Sequence, residues 1–411
     1  MFWEGRRWTP DTSGIRLREH IKGQLEAVFA GIMSQGDPDS TKKARLLLTN
    51  SKVNALAALV QSDDCLRANV AEFDIVEDVV NLRNGTLDLG TLDLDCHQPA
   101  DLLSKVANAE YHPDAECPHF DALLESTLPV EHRRFVLRLF GYALLGKPLA
   151  QVFAIFTGKG ANGKSTLLNA VASALGDYAT NVEPSSFIRQ KSERVRNDVA
   201  RLKGARLVGT SELAVGEVLD AALVKRFTGG DTITARALFK EYFEFKPEFV
   251  VFMTTNALPV IDGGDQALGR RLLIVPFSSV ISEEERDHDL PEKLRNEASG
   301  IFNRLLEGLR EYRKMGLAVP EDIMMEAAKF CVSSDMLGTF LDEKCELGTN
   351  FSVGAAEIYR RYKSWNESNG LRPLSMPQFK QELTKNLGAS PKKTKKGVVW
   401  SGVRLLQTGS L

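Results

Sequence analysis

The stretch from Gln151 to Gly176, QVFAIFTGKGANGKSTLLNAVASALG, restricts the fold of this chain more than any other. Gln151 to Thr157 is a short apolar run with β-branched and aromatic residues, which predicts a buried strand of a parallel sheet. Gly158 breaks that run, and Gly158 to Ser165 fits the spacing G-x-x-x-x-G-K-[ST]. Leu167, Leu168, Val171 and Leu175 then recur at helical spacing until Gly176 supplies a C-terminal stop. Strand, phosphate loop and helix in this order predict an α/β fold.

The chemistry of a phosphate explains the spacing. Gly158, Gly160 and Gly163 let the backbone turn its N–H groups inward, with Lys159, Ala161 and Asn162 completing the loop. The helix starting near Lys164 points its positive dipole end at the same anion. Lys164 is placed to reach the β- and γ-phosphates of ATP, Ser165 to offer its hydroxyl to Mg²⁺, and Thr166 closes the motif.

With 411 residues there is room for two or three domains, and 43% hydrophobic with 26% charged residues is an ordinary globular balance. A formal net charge of −2 excludes a chain basic all over but leaves room for local basic patches. Cys65, Cys96, Cys117, Cys331 and Cys345 include no C-x-x-C pair, so a reducing, cytoplasmic compartment is expected rather than a disulfide framework or zinc ribbon. The N-terminal MFWEGRRW carries charges where a signal peptide has its apolar core, and no window approaches 18 apolar residues. No membrane partner is expected.

Residues 1–115 are expected to form a first, α+β unit. Trp3 and Trp8 flank Glu4-Gly5-Arg6-Arg7 in a small hairpin, and helices are predicted over Ile15 to Met33 and Ala44 to Leu59. Val79 to Leu94 alternates, with Asn84-Gly85 as a turn signal. Asp93, Asp95 and His97 alternate along a strand as metal-binding acids of a primase do, but a polar strand face explains them with fewer assumptions. His112, Cys117 and His119 lie in a loop without a further close ligand and are read as punctuation, not a zinc site.

A second unit, residues 116–325, contains the phosphate loop. Phe120 to Leu145 predicts amphipathic helices, and the polar segment Glu183 to Arg201 a solvated helical face. The strand Ala205 to Thr210 runs into Ser211-Glu212, and an acid at the end of a buried strand beside a phosphate loop suits a group that activates water and helps hold Mg²⁺. Phe249 to Thr255 predicts a third buried strand ending at Asn256, whose amide can hold a water near the γ-phosphate or cap a turn. Arg270-Arg271 precedes the strand Leu272 to Phe277 and could complete a neighbour's site.

Taken together, Gly158 to Thr166, the strand ending Ser211-Glu212, the block KRFTGGDTITAR, Asn256 with Pro259 after it, and Arg270-Arg271 before IVPF resemble superfamily 3 helicases in order and spacing. The likeness is to the phage and plasmid primase-helicase branch, related to the poxvirus primase-helicase. NLRNGTLDL with YHPDAECPHF resembles that branch's domain before the motor. The resemblance implies an AAA+-type P-loop core, usually hexameric, that translocates 3′ to 5′ on single-stranded DNA. It implies catalytic roles for Lys164, for Glu212 as Walker B acid, for Asn256 as sensor, and for Arg271, with Arg270 in reserve, as arginine finger. Metal binding falls to Ser165 and Glu212, and Arg236 and Lys240 fall in the hairpin that grips DNA. Ser211 stands where many relatives carry a first acid, which shifts metal coordination towards Ser165 and water.

Residues 333–411 are expected to form a winged-helix-like unit. Helices are predicted over Ala355 to Trp365 and Met376 to Leu387, with Lys392, Lys393, Lys395 and Lys396 as a wing tip before the strand Val398 to Leu405. A disordered basic linker is the alternative for those lysines. The expected activity is an ATP-dependent DNA helicase replicating a phage, prophage or plasmid. It would act on single-stranded and forked DNA, with copies of itself and a primase or other replication proteins as partners. Two rivals stay open: an enzyme that also primes, for which the start at Met1 leaves little room, and an origin-binding initiator switched by ATP.

Overall fold

The computed structural model describes residues 1–34, 37–63, 72–147, 149–188, 199–211, 218–236, 242–261, 266–284, 286–333, 336–368, 373–388, 391–394 and 397–406. The chain opens with a hairpin, β1 (Phe2–Trp3) and β2 (Trp8–Thr9), whose Trp3 and Trp8 rings lie 5.8 Å apart. Helices α1 (Ile15–Met33), α2 (Pro38–Arg45) and α3 (Asn50–Ser62) follow, and α1 and α3 share a small core of Ile21, Val53 and Ala57. The continuous helix expected over Ala44 to Leu59 is instead two. A 3₁₀ turn at Leu46–Leu48 and an extended Thr49 (ψ 145°) separate them, and the Val53 N–H donates back to the Thr49 carbonyl to restart the coil.

Strands β3 (Val79–Leu82), β4 (Gly85–Asp88) and β5 (Leu94–Asp95) form an antiparallel meander. Its first turn is tied down by the Asn84 side chain, which donates to and accepts from the Tyr111 backbone at 3.0 Å. Val80, Leu82 and Leu87 enter the same core as the phosphate-loop helix, so the meander and the α/β sheet share one interior. Arg206 sews them together: its guanidinium donates to the Val79 and Leu144 carbonyls and lies 4.7 Å from the Tyr178 ring centre.

Helices α4 (Pro118–Thr127) and α5 (Val130–Ala143) lead into β6 (Phe153–Thr157) and α6 (Lys164–Leu175). Next come β7 (Ala179–Val182), β8 (Leu207–Thr210), β9 (Val218–Leu219), α7 (Ala221–Gly229), β10 (Ile233–Arg236), β11 (Tyr242–Phe245), β12 (Val250–Thr255), β13 (Val260–Ile261), α8 (Gln266–Gly269) and β14 (Leu272–Pro276). Five of these strands make a wholly parallel sheet in the order β14-β6-β12-β8-β7. Side chains alternate strictly between its faces. Ala154 and Phe156 join the core with α6, while Phe153 and Ile155 join the opposite core with α7, and β12 and β14 repeat the pattern.

The polar segment expected as a solvated helical face reads differently where it is described. Pro184–Phe187 and Val199–Leu202 are 3₁₀ turns, and Phe187 is fully buried against Phe153 and Phe227. Arg189, Lys191, Arg194 and Arg196 lie outside the described residues.

Helices α9 (Leu290–Asn296), α10 (Ala298–Met315) and α11 (Glu321–Ser333) complete this body. The last segment has its own core of Phe340, Tyr362, Phe379 and Trp400. It is built from α12 (Met336–Lys344), β15 (Cys345–Gly354), α13 (Ala355–Ser368), α14 (Met376–Leu387), β16 (Lys392–Thr394) and β17 (Gly397–Leu405), with sheet order β15-β17-β16. Ser375 and Gln378 form a capping box that starts α14.

Candidate nucleotide site

Parallel strands deliver their carboxyl ends to one edge, where open α/β sheets bind ligands. At that edge a cavity of about 350 Å³ is lined by the loop from Gly160 to Thr166, by Ser211 after β8, and by Thr254 to Asn256 at the end of β12. The loop is held from both sides. Phe277 N–H donates to Thr157 O at 2.7 Å, Asn162 Nδ2 to Phe277 O at 3.1 Å, and Ile281 N–H to Ala161 O at 2.8 Å. A Cβ on Gly158 would lie 2.2 Å from the Phe277 carbonyl oxygen, so only glycine admits this neighbour. Gly163, left-handed at φ +76°, caps α6, and a Cβ there would meet Thr127 Cγ2 at 2.7 Å.

Lys164 is buried, and its ammonium donates to Gly158 O at 2.6 Å, Asn162 Oδ1 at 2.7 Å and Asn256 Oδ1 at 3.3 Å. These acceptors offset the cost of burying the charge and aim it into the cavity. Two residues 92 positions apart, Lys164 and Asn256, thus meet because β6 and β12 are adjacent in the sheet. Ser165, Lys159, Gly160 and Ala161 are exposed at the mouth, as an incoming anion and its counter-ion require. The positively ended helix, the inward lysine and the free-facing serine fit a magnesium-bound nucleotide triphosphate.

The two arginines separate. Arg271 Nη1 donates to Thr228 Oγ1 at 2.8 Å and to Lys225 O at 3.3 Å, tying β14 to the C-terminal turn of α7. Arg270 is exposed. Arg236 ends β10, opposite Tyr242 in the β10–β11 hairpin, and Lys240 lies outside the described residues. Glu212, Lys395 and Lys396 also lie outside them, whereas Lys392 and Lys393 are exposed on β16. Sequence reading missed Thr254 and Thr255 as wall residues, and missed the Phe277 to Ile281 segment that buttresses the loop. Nothing in their residue types marks them; adjacency of β14 and β6 brings the latter in.

The alternative metal candidates are otherwise engaged. His97 Nε2 pairs with Leu82 O at 2.8 Å, His112 with Glu110, and His119 with Glu297. Burial pushes the Cys117 thiol up to about 12, which disfavours the thiolate that a metal needs. Among the described residues no group of three or more His, Cys, Asp or Glu is placed to hold a metal. Nor is any described helix long and apolar enough to cross a membrane.

Three family profiles match the chain. "D5 N terminal like" covers residues 1–129, a family of unknown function (DUF5906) covers 156–271, and "Poxvirus D5 protein-like" covers 333–401. The chain is thus similar to D5-type proteins over its first and last segments. A helicase candidate of Acanthamoeba polyphaga mimivirus is 30% identical to this chain over 71% of it and 33% of the relative. A helicase candidate of Sputnik virophage is 25% identical over 69% and 38%, and a primase candidate of African swine fever virus 27% identical over 36% and 16%. The chain therefore spans about a third of the length of these two helicase-named relatives. Among solved structures, the apo NrS-1 C-terminal region is similar at 14% identity and a TM-score of 0.44, over 71% of this chain and 76% of that one.

Proposed function

We propose that this chain is the ATP-driven, DNA-unwinding part of a D5-like primase-helicase. It works as a ring of copies, a hexamer, that moves 3′ to 5′ on single-stranded DNA while a phage, prophage or plasmid is replicated. The contact between Lys164 and Asn256 carries the reading, because it brings a phosphate-binding lysine and a water-holding amide to one cavity. The parallel order β14-β6-β12-β8-β7, with the phosphate-loop strand inside the sheet, supports an AAA+-type core.

Backbone N–H groups of the loop and the α6 amino end bind the β- and γ-phosphates. Lys164 exchanges Gly158 O and Asn162 for phosphate oxygens and stabilises the charge that grows on them. Ser165 and Glu212 would hold Mg²⁺, which when bound neutralises charge between the same phosphates. Asn256 orients the attacking water and Glu212 takes its proton. Arg270 of a neighbouring copy supplies the positive charge from across the interface, since Arg271 is engaged with α7. The β10–β11 hairpin grips DNA through Arg236 and Lys240, and the C-terminal unit adds phosphate contacts through Lys392, Lys393, Lys395 and Lys396 in the manner of a winged helix.

Strand displacement on a forked duplex tests this directly. Wild type is expected to unwind with ATP and to hydrolyse it faster with single-stranded DNA, and Lys164→Ala to do neither while keeping its fold. Near-normal ATP turnover in Lys164→Ala would overturn the assignment.

A further inference from the structure

A second cavity, of about 310 Å³, lies beside the phosphate loop and shares Ser165, Ser211 and Thr254 with the first. Asn169 of α6, Asn181 of β7, Glu183 at the end of β7, and Arg201 from the turn before β8 line it. Its shape depends on Gly209, where a Cβ would lie 2.3 Å from Asn181 Oδ1. Charge distinguishes the two cavities. Lys164 in the first is already bonded to three oxygens, whereas the Arg201 and Glu183 side chains in the second have no hydrogen-bond or ion-pair partner among the described residues.

We propose that the second cavity is the departure site for inorganic phosphate, with Arg201 as its anion-binding group and Glu183 as its selectivity group. The proposal rests on ATP hydrolysis at the first cavity. There the water oxygen bonds to the γ-phosphorus, the bond from that phosphorus to the β–γ bridging oxygen breaks, and the electron pair stays on ADP. One water proton remains on the phosphate and the other passes to the general base. Product phosphate therefore carries a hydroxyl, which the γ-phosphoryl group of ATP lacks. An arginine and a carboxylate lining one cavity suit that species: the guanidinium takes the charged oxygens and the carboxylate accepts from the hydroxyl. The attached, fully ionised γ-phosphoryl group meets the same carboxylate as a repulsion. The shared wall at Ser165, Ser211 and Thr254 gives the product a short path between the two sites.

Equilibrium binding of radiolabelled inorganic phosphate to the full chain with excess ADP tests this without requiring hydrolysis. Arg201→Ala is expected to weaken binding about tenfold or more, as loss of a charge-assisted hydrogen bond does, and Arg201→Lys to restore part of it. Sulfate, which carries no proton at neutral pH, is expected to compete poorly against wild type. It should compete as well as phosphate against Glu183→Gln. Arg201 is exposed, so the fold is expected to survive each change at that position. Unchanged phosphate binding in Arg201→Ala, or equal competition by sulfate in wild type, would overturn the proposal. Absence of ATP hydrolysis in wild type would instead remove the reading of the first cavity, and the phosphate measurement separates the two.

Discussion

The Lys164 ammonium is fixed in the cavity wall by three oxygens. A buried ammonium held by Gly158 O, Asn162 Oδ1 and Asn256 Oδ1 has little rotamer freedom left to lose on binding. Asn256→Ala removes one of those acceptors and, on the proposed mechanism, the amide that orients water, so turnover is expected to fall about a hundredfold in steady-state ATPase assays. Nucleotide binding, measured by calorimetry, should change far less. The adjacent arginines should part company. Arg271→Ala cuts the tie to Thr228 and is expected to cost about 1.5–3 kcal/mol in denaturant unfolding. Arg270→Ala should stay within about 0.5 kcal/mol of wild type in the same measurement while lowering ATP turnover. The motif G-x-x-x-x-G-K-[ST] made the loop legible in the sequence, but it gave no sign of which arginine is engaged. That choice depends on α7 lying beside β14, a contact between residues more than 40 positions apart.

Among the elements, α5 and α10 cross with glycine on both sides. A Cβ on Gly141 would lie 2.2 Å from Leu309 N, and one on Gly308 would lie 2.0 Å from Leu137 O. The backbones approach because neither helix carries a side chain there. Gly141→Ala or Gly308→Ala is therefore expected to destabilise by about 1–3 kcal/mol or more, read as a lower denaturant midpoint with an unchanged slope. The central strands were legible, since Phe153 to Phe156 and Val250 to Met253 are apolar at every position and only a sheet covered on both faces needs that. The break at Leu46–Leu48 was not. Apolar spacing from Ala44 to Leu59 continues through it, and only the docking of α3 on α1 about Ile21 and Val53 makes a restart at Thr49 favourable.

On the scale of the whole molecule, the C-terminal segment has a core that shares no residue with the cores of the parallel sheet. A chain truncated after Ser333 is expected to keep a cooperative unfolding transition for the sheet body. The C-terminal segment's edge strand exposes Lys392 and Lys393. On the proposed function, in which each lysine neutralises one phosphate, replacing both Lys392 and Lys393 by Ala should reduce the slope of log K against log salt for DNA binding by about 2. The sequence by itself determined the glycine-rich loop between strand and helix, the buried strands and the basic character of the last strands, because each follows from local spacing and residue type. Only the tertiary structure decided that Asn256 reaches Lys164, that Arg271 is engaged and Arg270 exposed, and that Arg201 borders a second cavity. Strand order sets those juxtapositions, and strand order is fixed by how whole faces bury together, which no single stretch of sequence records.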